Sequence, residues 1–336
     1  MSNNAFGIDL GTSNIKIYNR SEDAILVEKN MIAIENKNTL FAYGDSAFEM
    51  YEKAPGNIHI SYPLSNGVIA DIKNMEQLIK YFISDMSKSN IKPGDYFVAV
   101  PTDVTEVEKR AFYDLIKDAG VKARRVMVVE KAVADGLGLD IDVKNAQGVL
   151  IVNVGFDTTE ISILSLGGIV LSRLIKVGGQ KFDDAIRGAV RREFSLIIGG
   201  KTAENVKMSL KDLEKAGKGA VVYGRDIVTG LPVERELPTK LIDDSLIELF
   251  HTIIDNIKVI LERTPPELAA DIYRHGIYLT GGASQVNHLT ELIQRETGLN
   301  VNVSENPVTS VAIGLSKIIK DENYKSVAYA IEGMGR

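Results

Sequence analysis

Short apolar runs rich in β-branched residues alternate along the chain with stretches whose apolar residues recur at helical spacing. The runs have the length and composition of buried strands. They span residues 5–10, 15–18, 96–100, 148–154, 160–166, 169–177 and 276–280. We predict helices at residues 106–119, with Thr105 as the N-cap, and at residues 241–261, which end before Pro265. This alternation predicts a mixed α/β protein whose sheets are largely covered.

One pattern occurs twice in the chain. Residues 8–17 and 152–163 each contain a strand, a polar residue, a glycine, a hydroxyl-rich turn and a second strand. The polar residues are Asp9 and Asn153, so the copies start 144 residues apart (153 minus 9), close to half of the 336 residues. An internal repeat of this length predicts a duplicated fold of two lobes, with a nucleotide between them.

The turn in each copy is suited to binding phosphate. A glycine lets the backbone come close to a ligand, and consecutive N–H groups with hydroxyl side chains form a concave anion site. Asp9, at the end of a buried strand, is a candidate to hold Mg²⁺ through water. Residues 9–14 alone are equally typical of an ordinary β-turn. A third glycine cluster, residues 279–284, precedes a helix predicted to begin near Val286 and also suits a close approach to a ligand.

Composition narrows the class of protein. Hydrophobic residues make up 45% and charged residues 25%, close to the globular average, which excludes wholesale disorder. The net charge of −6 argues against nucleic acid as a partner. The chain has no cysteine, no apolar stretch long enough for a membrane span and no secretory signal in residues 1–6, so we expect a cytoplasmic protein. It also lacks the sequence elements of metalloproteases and serine hydrolases.

Several longer segments resemble those of the bacterial actin MreB family, within the superfamily of actin, sugar kinases and chaperone ATPases. These segments are residues 55–58, 63–71, 100–101, 105–110, 165–170, 225–232 and 264–272. Together with the two turns and the third glycine cluster, the resemblance covers roughly residues 5 to 320 in order. A lone shared motif does not explain a match of that length.

The resemblance implies an α/β, actin-like two-lobed fold, built from duplicated ribonuclease-H-like domains that each carry a smaller subdomain. The expected subdomains are IA (residues 1–30, 72–140 and 315–336), IB (31–71), IIA (141–178 and 243–314) and IIB (179–242). Such proteins bind ATP (or ADP) and Mg²⁺ in the central cleft and polymerise. Further copies of the chain are therefore expected partners, together with MreB relatives and cell-wall elongation proteins.

The resemblance also assigns nucleotide-binding roles to residues of both turns, of the third glycine cluster and of one further segment. These residues are Thr12, Ser13, Asn14, Gly155, Phe156, Asp157, Thr158, Thr159, Glu204, Lys207, Gly281, Gly282, Ala283 and Ser284. Glu204 and Lys207 match the family's nucleoside-contacting pair. Without the resemblance, two such residues three positions apart are more typical of an ion pair on a solvated helix.

Two positions depart from the family pattern. Asn153 replaces an aspartate, and an amide cannot act as a carboxylate base or as a strong Mg²⁺ ligand. Lys131 replaces the glutamate that helps to orient the attacking water. Because a positioned base contributes ~10² to 10⁴ in rate, we expect hydrolysis to be slow or lost. Two alternatives stay open: Glu130 or Asp157 takes over, or Lys131 lies near the γ-phosphate and replaces charge at the Mg²⁺ site. Phe156 also places bulk where the family has glycine.

These features predict a nucleotide-binding bacterial actin homologue that forms filaments and scaffolds cell shape or cell-wall synthesis. One alternative is a non-polymerising accessory regulator of a conventional relative. Another is a small-molecule kinase of the same superfamily, which is disfavoured because Asn153 removes a candidate base and no segment resembles a sugar-binding insertion.

Contact with the inner face of the cell membrane is a separate hypothesis. The loop at residues 87–95, which aligns with an apolar loop of the family, offers only Ile91. The carboxy-terminal segment has the apolar spacing of an amphipathic helix, at Tyr324, Val327, Ala328 and Ile331. Most such stripes pack on their own domain.

Overall fold

A computed structural model describes residues 4–331 of the chain. Its strands are β1 (Ala5–Leu10), β2 (Asn14–Asn19), β3 (Ala24–Lys29), β4 (Ile32–Glu35), β5 (Thr39–Tyr43), β6 (Ile58–Ser61), β7 (Leu64–Ser65), β8 (Val68–Ile69), β9 (Gly94–Val100), β10 (Ala123–Glu130), β11 (Val149–Val154), β12 (Thr159–Ser165), β13 (Gly168–Ile175), β14 (Leu196–Ile197), β15 (Ala220–Asp226), β16 (Pro232–Leu237), β17 (Ile277–Thr280), β18 (Val301–Val303) and β19 (Ala328–Tyr329). Its α-helices are α1 (Asp45–Met50), α2 (Ile72–Met86), α3 (Glu106–Asp118), α4 (Lys131–Gly138), α5 (Gly179–Phe194), α6 (Gly200–Ala216), α7 (Thr239–Glu262), α8 (Pro266–His275), α9 (Leu289–Thr297) and α10 (Ser310–Lys320).

Two large sheets have the same topology. Their strand orders are β19-β10-β9-β1-β2-β3 and β13-β12-β11-β17-β18. Each contains an antiparallel meander, β1-β2-β3 or β11-β12-β13. Next to the first strand of each meander, the sheet continues with two strands that run parallel to it, β9 and β10 or β17 and β18. The repeated sequence pattern occupies equivalent hairpins, β1-β2 and β11-β12, so the fold is duplicated as the repeat predicted.

The central strands and the predicted helices follow from the sequence pattern. Every residue of β1 and of β11 is buried, as expected for central strands covered on both faces. Helix α3 begins after Thr105, whose side chain forms a capping box with Glu108. Helix α7 confirms the second long helix and extends it by two residues at its start. The α/β class is therefore confirmed.

Smaller sheets accompany the two large ones. Strands β5-β4-β6 lie within residues 32–61, and β14-β15-β16 lie within residues 196–237. Each of these four sheets falls within one of the four predicted subdomains. The subdomain limits themselves stay a prediction.

Helices α4 and α10 pack closely together between the large sheets. A Cβ on Gly314 would lie 1.6 Å from the carbonyl oxygen of Ala134, and one on Gly138 would lie 1.8 Å from that of Ser310. The core around these helices takes residues from both sheets, among them Ala99, Val129, Ile151 and Leu164. The two lobes are thus joined through one shared core, at a helix crossing that requires glycine.

The structure differs from the sequence analysis at two helices. The helix expected near Val286 is preceded by a 3₁₀ turn, Gly282–Gln285, and α9 begins only at Leu289. The prediction of an amphipathic helix in the carboxy-terminal segment is wrong. Residues 322–327 form a 3₁₀ turn, and the chain then becomes strand β19, which pairs with the edge of β10.

The apolar residues of that carboxy-terminal segment pack against the protein. Tyr324 and Val327 lie on the core that the two lobes share, Ala328 is buried within it, and Ile331 lies on the core of the first lobe. Ile91 also packs on the core of the first lobe. Neither segment therefore presents a free apolar stripe to lipid. Within residues 4–331, no helix combines the length and the apolar character needed to cross a bilayer.

Candidate functional site

A cavity of about 400 Å³ lies between the two large sheets. Both repeated hairpins contribute to its wall, together with α6 and the segment after β17. Most of the predicted site residues line it: Asp9, Thr12, Ser13, Asn14, Lys131, Asn153, Gly155, Phe156, Asp157, Thr158, Glu204, Lys207, Gly281, Gly282 and Ala283. Residues that are far apart in the sequence are thus brought together in one cleft.

Two predicted nucleotide-binding residues lie behind the wall of the cleft. The Thr159 hydroxyl is fully buried and donates a hydrogen bond to the carbonyl oxygen of Val177 at 2.8 Å. The Ser284 hydroxyl donates to the carbonyl oxygen of Gly281 at 2.7 Å. Both side chains hold the turns in shape and are not directed at a ligand.

Glu130 also lies outside the lining of the cleft. Its carboxylate accepts hydrogen bonds from Lys109 Nζ at 2.9 Å and from the Tyr329 hydroxyl at 2.8 Å. This geometry speaks against the hypothesis that Glu130 replaces the missing water-orienting glutamate.

The first turn requires a glycine because the backbone closes tightly on itself. The Gly11 N–H donates to the carbonyl oxygen of Asn14 at 3.1 Å, and a Cβ on Gly11 would lie 2.7 Å from that oxygen. The buried Asn30 fixes the turn from behind: its Nδ2 donates to the Gly11 carbonyl oxygen at 2.9 Å, and its N–H donates to that of Ser13 at 2.9 Å. The hydroxyls of Thr12 and Ser13 are thereby held beside the cleft.

The second turn repeats this construction. The Gly155 N–H donates to the carbonyl oxygen of Thr158 at 2.9 Å, and a Cβ on Gly155 would lie 2.9 Å from the same oxygen. The start of α5 holds the turn, since the N–H groups of Gly179 and Gln180 donate to the carbonyl oxygens of Gly155 and Phe156. Two equivalent glycine turns therefore face one cleft, as expected for binding phosphate groups from both sides.

Phe156 and Asp157, which are neighbours in the second turn, contact the opposite lobe. The Phe156 ring lies 5.8 Å from the Tyr62 ring, centroid to centroid. Asp157 Oδ2 accepts a hydrogen bond from the Asn66 N–H at 2.8 Å. Burial raises the pKa of Asp157, although hydrogen bonds from Asn66 and Thr12 favour its charged form. These side chains therefore bridge the lobes beside the phosphate turns.

Lys131 lines the cleft but is held by a carboxylate that the sequence analysis missed. Lys131 Nζ lies 3.1 Å from Glu160 Oε1, and both side chains are largely buried. Glu160 Oε2 accepts hydrogen bonds from the Thr102 N–H at 3.0 Å and from its hydroxyl at 3.2 Å. Burial alone would lower the pKa of Lys131, but the charges of Glu160 and Asp9 raise it above the ordinary value. Lys131 is therefore an ammonium ion at neutral pH.

Asp9 is paired in the same way. Lys16 Nζ lies 3.1 Å from Asp9 Oδ2, and only 12% of the Lys16 side chain and 3% of the Asp9 side chain are exposed. Burial raises the pKa of Asp9, but Lys16 and Lys131 more than offset this and hold the pKa below its usual range. Asp9 Oδ1 is buried and has no hydrogen-bond partner among residues 4–331. Asp9 is therefore ionised, with Oδ2 paired to Lys16 and Oδ1 without a partner among residues 4–331.

The signal that could have identified Lys16 and Glu160 is the register of the hairpins. Lys16 stands directly opposite Asp9 in the first hairpin, and Glu160 stands directly opposite Asn153 in the second. Once the repeat is read as two hairpins, each polar residue at the end of the first strand faces a partner on the second strand.

The Asn153 side chain is fixed by a second buried carboxylate. Its Nδ2 donates to Asp135 Oδ2 at 2.6 Å. Burial raises the pKa of Asp135 to about 6, against hydrogen bonds from Ser310 and Asn153 that favour the charged form. Sequence reasoning missed Asp135 because nothing in its helical context marks it as polar and buried.

The Glu204 and Lys207 pair does not form the solvated ion pair that their spacing suggests. Lys207 Nζ lies 2.7 Å from Asp183 Oδ1 and donates to the carbonyl oxygen of Gly179 at 3.2 Å. Burial raises the pKa of Asp183 to about 6, while the charge of Lys207 opposes this shift. Glu204 and Lys207 both line the cleft, and their contact with a nucleoside stays a prediction.

The chain matches a known family over nearly its whole length. The family model described as MreB/Mbl protein matches residues 3–327. Cell shape-determining protein Mbl of Bacillus subtilis is 36% identical over 313 residues, which cover 92% of this chain and 93% of Mbl. Cell shape-determining protein MreB of Escherichia coli is 36% identical over 329 residues, which cover 95% of this chain and 94% of MreB.

Solved structures of a similar protein have the same fold. MreB5 of Spiroplasma citri bound to AMPPNP is 35% identical and superposes with a TM-score of 0.88, covering 96% of this chain and 97% of that chain. The ADP-bound form superposes with a TM-score of 0.87 and covers 96% of this chain and 98% of that chain. The chain described here is therefore a member of the MreB/Mbl family, with an actin-like two-lobed fold.

Proposed function

We propose that this protein is a nucleotide-binding actin homologue that polymerises in the cytoplasm and scaffolds cell shape or cell-wall synthesis, with hydrolysis slow or lost. The relatives that share 36% of its residues are named cell shape-determining proteins. MreB5, with the same fold, has been solved with ADP and with AMPPNP. Both glycine turns face the cleft, which supports the binding of the phosphate groups of a nucleotide.

The nucleotide would be held from both lobes. Thr12, Ser13 and the Gly155 turn would bind phosphate oxygens through N–H and hydroxyl groups. Glu204 and Lys207 line the same cleft and would contact the nucleoside, as the family resemblance implies. A bound nucleotide would make polar contacts with both lobes, and it would therefore favour a closed arrangement of the lobes.

The observation that carries the proposal of disabled hydrolysis is the ion pair between Lys131 and Glu160, at 3.1 Å. An ammonium group has no lone pair, so it cannot accept a proton from an attacking water. Glu160 Oε1 pairs with Lys131 and Glu160 Oε2 accepts two hydrogen bonds from Thr102, so a water would have to compete for both oxygens. The amide of Asn153 also lacks a basic oxygen. These groups orient one another and leave the water without a strong base.

Asp157 is the remaining candidate for residual hydrolysis. Its carboxylate lines the cleft, and burial raises its pKa, which makes it a better base than an exposed aspartate. Its hydrogen bonds from Asn66 and Thr12 oppose that role, because a water would have to compete for the same oxygens. Asp157→Asn removes this remaining base, so steady-state phosphate release should fall below that of the wild type.

The proposal is tested by pelleting and phosphate release measured in one sample with ATP. Polymer with little phosphate supports a nucleotide-bound scaffold. Polymer with rapid phosphate release contradicts disabled hydrolysis and shows that Asp157 or another group compensates. Neither polymer nor phosphate, in a protein that binds ATP, favours the accessory regulator.

A further inference from the structure

We propose that this protein binds its nucleoside triphosphate without a divalent cation, because Lys16 and Lys131 supply the positive charge that a hydrated Mg²⁺ would otherwise bring to the phosphates. The inference rests on the proposed nucleotide-binding function and names what that site requires. It contradicts the Mg²⁺ site that the family resemblance implies at Asp9.

The register of the two hairpins brings charged side chains together. Asp9 faces Lys16 across β1 and β2, and Asn153 faces Glu160 across β11 and β12. All four side chains line the same cleft. The duplicated fold thus brings two carboxylates, one amide and one ammonium group to the place where the phosphate turns meet. Lys131, at the start of α4, adds a second ammonium group.

Three of the four carboxylate oxygens of Asp9 and Glu160 are already engaged by ammonium, N–H or hydroxyl groups. Asp9 Oδ2 lies 3.1 Å from Lys16 Nζ, and Glu160 Oε1 lies 3.1 Å from Lys131 Nζ. Glu160 Oε2 accepts two hydrogen bonds from Thr102. Within residues 4–331, only Asp9 Oδ1 is left as a buried carboxylate oxygen without a partner in this group.

The local charge does not favour a dication. Asp9 and Glu160 are each paired with an ammonium group, of Lys16 and Lys131, at 3.1 Å, so neither pair has a net charge to offer a cation; Asp157, which also lines the cleft, accepts a hydrogen bond from Asn66. Mg²⁺ requires near-octahedral oxygen ligation and usually binds through one or two carboxylates plus phosphate oxygens. Here it would lie beside two buried ammonium groups, in surroundings where like charges repel more strongly than in water. The residues present therefore do not fit the implied Mg²⁺.

The same ammonium groups do fit phosphate. Lys16 Nζ lies directly beneath the first turn, 2.9 Å from the point that a Cβ on Gly11 would occupy. An ammonium group has three donors, and the contact with Asp9 uses one of them. The remaining donors can bind phosphate oxygens from below while the N–H groups and hydroxyls of the turn bind them from above. Lys131 lines the same cleft and can bind phosphate oxygens in the same way.

The test is the affinity for a fluorescent ATP analogue, titrated into the purified full chain in excess EDTA and, separately, in excess Mg²⁺. We expect dissociation constants that agree within about threefold, because the lysines act in both buffers. Lys16→Met should weaken binding in EDTA by about tenfold or more, as expected for the loss of a charge-assisted contact. Lys16→Arg, which keeps the charge, should restore most of the affinity.

Controls separate a binding defect from a folding defect. Lys117→Met removes an exposed lysine at the end of α3, outside the cleft, and should change neither affinity. Lys131→Met is the second cleft variant, so the test stands even if Lys16→Met fails to fold by circular dichroism. Lys131→Glu should weaken binding in EDTA more than in Mg²⁺, since it restores a carboxylate that a metal ion can use.

The outcomes are distinguishable. Binding in both buffers that depends on Lys16 or Lys131 supports the inference. Binding that requires Mg²⁺ overturns it and leaves the proposed function intact. Binding in EDTA that neither lysine variant weakens also overturns it. No binding in either buffer overturns the proposed function and the inference together.

Discussion

Lys131 places a positive charge where the family resemblance implies a water-orienting glutamate. Its ammonium group lies 3.1 Å from Glu160, and the amide of Asn153 stands where the resemblance implies a carboxylate. Two changes at neighbouring walls of one cleft act on the same chemical step, so their effects will not simply add. Reversing only one of them leaves the water without a full set of partners.

The double variant Lys131→Glu with Asn153→Asp should therefore gain activity. With ATP and Mg²⁺, we expect phosphate release to rise by at least about tenfold, within the ~10² to 10⁴ that a positioned base contributes. The measurement is steady-state phosphate release. Lys131→Met is the matched control, because it removes the charge without adding a base and should give no gain. A double variant that binds ATP yet hydrolyses it no faster would contradict the assigned roles.

Asp135 makes the free energy of unfolding depend on pH. Its pKa rises from 3.8 to about 6 on burial. The protonated form of Asp135 therefore stabilises the folded protein fully at pH values below 3.8, and this stabilisation is lost as the pH rises through about 6. A shift of this size corresponds to about 3 kcal/mol in the free energy of unfolding.

Urea unfolding at pH values between about 4 and about 7 measures that loss. Asp135→Asn should flatten this part of the profile, because an amide at the same place does not ionise. Asp118→Asn, at an exposed helix end, is the matched control and should keep the wild-type slope. An Asp135→Asn profile as steep as that of the wild type would show that Asp135 stays ionised throughout.

At the level of elements, helices α4 and α10 connect the lobes through a crossing with no room for a side chain. A Cβ on Gly314 would lie 1.6 Å from the carbonyl oxygen of Ala134. Gly314→Ala must push the helices apart inside the shared core, and we expect it to lower the free energy of unfolding by at least about 2 kcal/mol.

The matched control is Gly188→Ala in helix α5, where a Cβ would meet only the end of Arg192, at 3.4 Å. Alanine is the better helix former, so this change should be neutral or stabilise by up to about 1 kcal/mol. Urea unfolding of both variants checks the pair. Equal effects would mean that the crossing tolerates a methyl group.

The sequence predicts these elements unequally well. The repeat around Asp9 and Asn153 correctly predicted two equivalent hairpins, because glycine turns between buried strands are local features. The apolar spacing at residues 324–331 wrongly predicted a helix, because Ala328 and Tyr329 form a strand that pairs with the edge of β10. Glu160 was missed because its role depends on cross-strand register. The close approach at Gly314 has no sequence signal, since it arises only when distant helices meet.

At the scale of the whole molecule, contacts across the cleft join the two lobes. Glu52 Oε2 accepts a hydrogen bond from the Gly200 N–H at 2.9 Å, at the positive end of helix α6. The Lys201 ammonium group lies 4.2 Å from the centroid of the Phe48 ring. The lobes are thus in contact at two places: beside the phosphate turns, through Asp157 and Asn66, and at the start of α6, through Glu52 and Phe48.

Loosening the outer contact should speed the release of nucleotide. Glu52→Ala removes the acceptor at Gly200, and we expect the dissociation rate of a fluorescent ATP analogue to rise by about two- to tenfold, as for the loss of an exposed charge-assisted hydrogen bond. Stopped-flow displacement by excess ATP measures this rate. Glu267→Ala, on the exposed face of α8, is the control and should leave the rate unchanged. An unchanged rate in Glu52→Ala would show that the outer contact does not limit release.

The central claim is that this family member keeps a nucleoside triphosphate bound in a cleft that cannot hydrolyse it efficiently. The most direct measurement is the ratio of ATP to ADP in pelleted filaments, quenched at intervals after assembly and separated by chromatography. The ion pairs of Lys131 with Glu160 and of Lys16 with Asp9 predict filaments that retain mainly ATP long after assembly is complete. Conversion to ADP on the timescale of assembly would contradict the account.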